Sequence, residues 1–253
     1  MVIPVFNPQW FSNSRMDGIA VLEFFIAGDA TRKFVPLQTT YLEGSILGPF
    51  AHFTLTHTFH FSRNQCPHTI EALYRFPLPG DSAVTGVVVT FGTTVIEATL
   101  KARKKAEMEY EDAKKEGKAA AILTQEMPNV FTLRVAGIAP DDDVIVKTNY
   151  VQIGEPEGTG FMFRIPLTTA PRYVRGDERK SRSSDAQPMA VLRDPGHRFS
   201  LEISAEGDAT LSSSSHSLRR TGKVYRLSSE CIVPDRDCIL EWRPVQAVEA
   251  PAL

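Results

Sequence analysis

Apolar and polar side chains alternate along most of this chain, the pattern of a strand with one buried face. In Phe50-Ala-His-Phe-Thr-Leu-Thr-His-Thr-Phe-His-Phe61, residues Phe53, Leu55, His57, Phe59 and Phe61 share one face. Thr54, Thr56, Thr58 and His60 take the other. Similar runs occur at 83–91, 130–135, 143–151 and 160–165, and again at 198–204, 223–227 and 238–242. Turn residues punctuate them, as in Leu78-Pro-Gly-Asp81, Phe91-Gly-Thr93 and Glu155-Pro-Glu-Gly158. Many short antiparallel strands spaced in this way predict a β-sandwich.

One segment departs from that rhythm. Lys101 to Gly117 is rich in strong helix formers and ends on glycine, a favoured helix stop. Ala102, Ala106, Tyr110 and Ala113 form a narrow apolar stripe at helical spacing. Its small alanines let the helix lie close on a sheet, with Tyr110 as the one large anchor. Glu111 and Lys115 have the favourable order for an i,i+4 ion pair. Lys101, Arg103 and Lys104 crowd the positive end of the helix dipole, at a cost of a few tenths of a kcal/mol each. That crowding is read as a solvated face rather than as a seat for an acidic partner.

The stretch 174–195 is polar, mixed in charge and without periodicity, which reads as a linker. The chain then divides into an N-terminal extension (1–16), a large β domain (17–173), the linker (174–195), a smaller β unit (196–243) and a C-terminal linker (244–253). The predicted fold class is mainly β, an antiparallel β-sandwich with one α-helix followed by that smaller β unit. The tail from Arg243 has two prolines and no strand alternation. It suits an exposed linker, so the reading frame is expected to continue past Leu253.

Length and composition narrow the class. A chain of 253 residues buries a core without staples. Its 28 basic and 30 acidic residues leave a formal charge of −2, which gives no electrostatic case for nucleic acid or an anionic membrane as partner. No apolar run approaches the roughly 18 residues of a spanning helix. The segment from Met1 to Pro8 has no basic stretch and contains two prolines, a poor secretory signal. Three cysteines, Cys66, Cys231 and Cys238, are too few for a disulfide framework. Reduced thiols and a cytoplasmic location are the expectation, with a Cys231–Cys238 bridge as the alternative.

The search for chemistry finds no G-x-S-x-G elbow, H-E-x-x-H, Walker A loop or C-x-x-C pair. His60, Cys66 and His68 cluster around a turn, but no fourth zinc ligand is signalled, and they are read as turn residues. His52 and His60 share a face about 26 Å apart and cannot hold one ion. His57, on the apolar face, reads as a hydrogen-bonded core histidine. Asp141-Asp-Asp143 lacks the spaced ligands of a calcium loop and reads as a solvated turn. Asp208-Ala-Thr-Leu-Ser212 and Arg175-Gly-Asp177 match a metal-loop and an adhesion motif too loosely to assign. No catalytic, cofactor-binding or metal residue is therefore expected.

Glu71-Ala-Leu-Tyr-Arg-Phe-Pro-Leu-Pro79 and Ala83-Val-Thr-Gly86 resemble the E-x-x-Y-x-F-P-L-P and A-V-x-G pattern of VIT domains, the vault protein/inter-α-trypsin family. The helix with Ala106, Tyr110, Ala113 and Gly117 fits, as do Asn129-Val-Phe131, Ile138-Ala-Pro140, Val144, Val146, Tyr150 and Pro171-Arg-Tyr173. Ser213 to His216 resembles the family's S-P-S-H segment without its proline, and Asp235 to Leu240 its D-F-V-L strand. The resemblance covers roughly 17–243. It departs at Asp141-Asp142, where glycine usually follows the proline, so that turn is expected to differ. The resemblance implies a non-catalytic protein–protein interaction module beside a von Willebrand A-type domain in a larger polypeptide. The alternative it leaves open is a secreted matrix or adhesion protein of the inter-α-trypsin heavy-chain type.

Because no ligand set couples a metal to folding, the purified protein is expected to keep its melting temperature in a strong chelator. A drop of several degrees that zinc or calcium reverses would return attention to His60, Cys66 and His68, or to the Asp141 turn.

Overall fold

The computed structural model describes residues 20–24, 33–79, 81–98, 103–118, 120–127, 130–167, 197–230, 232–234 and 236–245. The N-terminal extension, the linker with Arg175-Gly-Asp177, Cys231 and the end of the tail lie outside them.

Three strands of eleven residues form the centre: β3 (Leu37–Leu47), β4 (Phe50–His60) and β10 (Asp143–Ile153). They follow a short β1 (Val21–Phe24) and β2 (Lys33–Val35). Between β4 and β10 lie β5 (Ile70–Pro77), β6 (Ser82–Phe91), β7 (Thr94–Glu97), helix α1 (Arg103–Lys115), β8 (Ala120–Met127) and β9 (Val130–Ile138). After β10 come β11 (Glu155–Glu157), β12 (Gly160–Ile165), β13 (Arg198–Ala205) and β14 (Ala209–Ser212). The last are β15 (Leu218–Thr221), β16 (Val224–Leu227) and β17 (Cys238–Pro244).

These strands make an eight-stranded base sheet, ordered β15-β16-β13-β3-β4-β10-β6-β7. Two smaller sheets accompany it: β2-β1-β5-β9-β8 and β11-β12-β17-β14. The alternation read from Phe50 to Phe61 is the mechanism. Phe53, Leu55, His57, Phe59 and Phe61 are all buried, and they point to one side of the base sheet. At one end of β4, His57 and Phe59 meet Tyr74 of the five-stranded sheet, with ring centroids 5.8 and 5.6 Å apart. At the other end, Phe53 meets Phe163 of the four-stranded sheet edge-on at 6.3 Å. One long strand is thus covered by two different sheets, and a single hydrophobic core runs beneath both.

The strands of 196–243, expected as a separate smaller unit, are built into these sheets. β13 lies parallel to β3, from Arg198 opposite Thr39 to Ala205 opposite Ile46. β17 pairs with β12, Cys238 opposite Ile165. The β13–β3 ladder is the one parallel pairing among the described strands. A parallel pairing needs a long connection between its two strands, and β3 and β13 are separated by most of the other strands in the chain. Alternation announces a strand and says nothing of its partner, so a polar stretch between two strand-rich segments reads as a boundary even where the sheet is continuous.

Helix α1 docks through the predicted face. Tyr110 is buried against Ala136 of β9, with Ala113 beside it. Its hydroxyl donates to Glu71 Oε1 at 2.8 Å, and Lys114 pairs with the other oxygen of that carboxylate. Met108, off the stripe, is 68% exposed. The helix ends in a Schellman motif: Gly117, at φ 70°, donates to the Lys114 carbonyl, and Lys118 donates to that of Ala113. Lys115 stands 3.7 Å from Asp112, three residues back, in place of the predicted Glu111 partner. At the C-terminal end of a helix, an exposed lysine has several acceptors within reach and little energy separating them.

Truncation of Tyr110 removes both the anchor and a bond to Glu71. Tyr110→Ala is expected to cost about 2–4 kcal/mol, and Met108→Ala well under about 1 kcal/mol. Urea denaturation of the two variants checks this; equal midpoints would mean that the helix seats differently.

Candidate functional site: an open sheet face with an apolar end

Several residues on which chemistry could have been built are occupied by structural bonds. His57 is buried, with Nδ1 2.6 Å from the hydroxyl of Tyr74. Burial lowers its pKa to about 3, and His197 adds to the effect, so the ring is neutral in the folded protein at neutral pH. His60 pairs with Asp143 at 2.8 Å, across the β4–β10 ladder. Cys66 is buried, and its thiol reaches the His68 carbonyl at 3.6 Å. Among the described residues, no group of three or more His, Cys, Asp and Glu stands close enough to hold a metal ion. Cys238 is a buried free thiol, and burial followed by the neighbouring Asp237 pushes its pKa up to about 12.

The Asp141 turn is held by protein groups. Asp141 accepts the backbone N–H of Arg63 at 2.8 Å and its guanidinium at 3.3 Å. That backbone bond, ahead of the guanidinium, holds the Asp141 carboxyl below the usual carboxylate range. Asp141 has φ 68°, the left-handed conformation that glycine adopts most easily. The turn expected to differ from the family pattern therefore has the geometry a glycine there would give. Aspartate tolerates it because its side chain bonds locally.

A serine–histidine pair was not singled out as chemistry in the sequence, and it too is structural. Ser215 Oγ lies 2.7 Å from His216 Nδ1 and accepts the N–H of Ile239 at 2.8 Å. Ser213 Oγ accepts the His216 N–H, and Phe199 meets the imidazole edge-on. The Ser213–His216 segment is a corner clamp that ties the chain after β14 to β17. Asp208-Ala-Thr-Leu-Ser212 enters β14, which runs antiparallel to β17.

What remains available is a surface. The second face of the base sheet carries Tyr41, Ser45, Thr54, Thr56, Thr58, Ile145, Lys147, Asn149 and Val151, all exposed or half-buried. Thr54 Oγ1 donates to Asn149 across the β4–β10 ladder at 2.8 Å, which keeps part of this face flat and polar. At the end of the sheet the chemistry changes. Leu47 pairs with Phe50, and Phe50 with Ile153, so three adjacent strands present a continuous apolar row. These residues are 58%, 58% and 57% exposed. Gly154 makes the bend after Ile153 possible: a Cβ there would stand 2.7 Å from the Phe163 ring.

The fold and this face define the class: a β-sandwich with one docked helix and a broad open sheet surface. Residues 37–150 match the family model of the Vault protein inter-alpha-trypsin domain, and the chain carries a VIT domain there. The matched stretch runs from β3 to β10, narrower than the expected 17–173.

The human protein mono-ADP-ribosyltransferase PARP4 is 29% identical over 180 residues, which cover 70% of this chain and 10% of that protein. The rat von Willebrand factor A domain-containing protein 5A is 30% identical over 137 residues, 53% of this chain and 16% of that protein. The chain thus spans between about a tenth and a sixth of these relatives. Among solved structures, a putative nutrient binding protein of Legionella pneumophila superposes with a TM-score of 0.43 at 11% identity, covering 90% of this chain and 72% of that one.

The neutral buried His57 has a consequence for stability. Its folded pKa lies below that of an exposed histidine, so the unfolded chain binds a proton that the folded one excludes. The contribution is full above about pH 6.5 and is lost as pH falls toward the folded value. Between pH 7 and 5 it should remove about 2 kcal/mol that His57→Gln does not lose. Urea midpoints of both proteins at the two pH values test this; parallel losses would mean that His57 is protonated in the fold.

Proposed function

We propose that this chain is a non-catalytic protein–protein interaction module that works beside a von Willebrand A-type domain in a larger, cytoplasmic polypeptide. The observation that carries the reading is the open face of the base sheet, with Leu47, Phe50 and Ile153 aligned across three strands and left in water. Aligned apolar residues on a rigid sheet are what a partner surface needs, since they are already ordered before contact. Two further observations support it. His57, Ser215, His216 and Asp141, residue types that could carry reactions, are engaged in bonds that hold turns and sheets together. The similarity to PARP4 covers only a tenth of that transferase, and the rat relative is by its name an A domain-containing protein.

The test is direct. The A-type domain of the rat relative, purified alone, is titrated into this protein in a calorimeter. One-to-one binding with a dissociation constant below about 100 µM is expected, the weak range of modules that normally share a chain. No binding at that concentration would sink the A-type partnership.

A further inference from the structure

Six large apolar side chains are exposed among the described residues, and four of them gather at one end of the molecule. Leu47, Phe50 and Ile153 form the cross-strand row. Val245 joins them from the exit of β17: its N–H donates to the Asp208 carbonyl at 2.7 Å, and Gly207 lies against Leu47. The turns that carry these residues are tied to one another. Gly154 donates to the Pro49 carbonyl at 2.8 Å, and Glu206 donates to that of Ile46 at 2.8 Å. The apolar group is therefore a fixed surface built from four chain segments.

Its surroundings are acidic. Glu155 and Glu157 of β11 follow Ile153 directly, and Asp208 stands beside Val245; all three are exposed. Asp81 is exposed as well, and its carbonyl accepts the N–H of Ile153. Glu206 is half-buried, with Lys223 4.0 Å from its carboxylate. Of the other nearby bases among the described residues, Arg243 is paired with Glu241 at 3.0 Å, and the exposed His52 lies two residues along β4 from Phe50 on the same face. Among the described residues, carboxylates thus outnumber free cations around an apolar centre.

We propose that this end of the sheet is the seat of the A-type partner, and that it takes a partner surface bearing an apolar side chain flanked by lysine or arginine. The proposal rests on the interaction reading above and adds to it the place and the chemistry. An apolar centre supplies the contact, and the carboxylate rim selects the partner by charge. The same rim argues against two other occupants. A second copy would bring like charges face to face, and an anionic lipid surface would be repelled. The seat also includes Val245, directly after β17, which widens the apolar centre beyond the three central strands.

The experiment uses the whole chain and the rat A-type domain as probe. Phe50→Asp and Ile153→Asp should each weaken binding at least tenfold, with melting temperatures within a few degrees of the parent. Val95→Asp and Met108→Asp, at the exposed apolar residues away from this end, should change it less than twofold. Raising salt from 50 to 500 mM should weaken parent binding severalfold, and the Glu155→Lys, Glu157→Lys, Asp208→Lys triple variant should abolish that dependence. Binding that survives Phe50→Asp and Ile153→Asp overturns the seat and leaves the interaction reading standing. A parent protein that binds no A-type domain overturns both. Sedimentation that shows a dimer dissolved by Phe50→Asp would assign the surface to a second copy instead.

Discussion

The hydrogen bond between His57 and Tyr74 joins two sheets at a point where neither side chain can reach water. His57 belongs to β4 of the base sheet and Tyr74 to β5 of the five-stranded sheet, so the bond fixes where one layer sits on the other. An unpaired imidazole or phenol at this depth would cost on the order of 1–3 kcal/mol, so the two must be placed together. Tyr74 also stacks on Phe76 at 4.8 Å and meets Phe59 edge-on at 5.6 Å. The other face of β5 presents Glu71 to the helix. Burial works to raise that carboxyl, but hydrogen bonds from Lys114 and Tyr110 outweigh it and hold the group below the usual range. The E-x-x-Y-x-F run thus has a mechanical meaning. Its glutamate holds the helix, its tyrosine joins the sheets, and its phenylalanine completes the aromatic stack.

Strands of eleven residues are longer than one covering sheet of this size can protect. The base sheet resolves this with two covers, β5 and its neighbours over the His57 end and β12 with β17 over the Phe53 end. The second cover needs β17, from the far end of the chain, and the base sheet needs β13 beside β3. Residues before and after the 168–196 connection are therefore parts of one packing problem. The Ser215–His216 clamp at Ile239 and the Trp242 indole, which donates to the Glu206 carbonyl, serve that closure.

The strands with strong alternation were legible because burial is one-sided: β4, β6, β10, β12 and β13 stand within two residues of their predicted limits. Helix α1 was legible too, since its composition, its stripe and its glycine stop all agree. β3 was not. On its inner face Thr40 and Gly44 interrupt Leu42 and Ile46, so the period-two signal is weak although Thr40, Leu42 and Ile46 are buried. Parallel pairing with β13 was invisible for a different reason, because register between distant strands is set by tertiary packing. The candidate surface was missed because Leu47, Phe50 and Ile153 read as ordinary strand ends. Only the ladder brings them side by side.

The two ends of the central strands answer to different demands. At the His60 end, polar groups are partnered: His60 Nδ1 lies 2.8 Å from Asp143, Asp141 pairs with Arg63, and the Asp141 N–H donates to the Phe61 carbonyl. Such pairs contribute little to stability individually, and the exposed apolar side chain near this end, Val95 of β7, stands by itself. At the Leu47 end, the tight turn through Gly48, at φ 56°, and the bend at Gly154 are equally ordered, yet the side chains they present are apolar. Local folding does not require this. Polar residues at Leu47, Phe50 and Ile153 would leave the ladders intact, since the side chains face solvent and contribute little buried area. Three adjacent exposed positions that could be polar without loss of fold, and are all apolar, are what the proposed contact with another surface would account for and the stability of the sandwich does not.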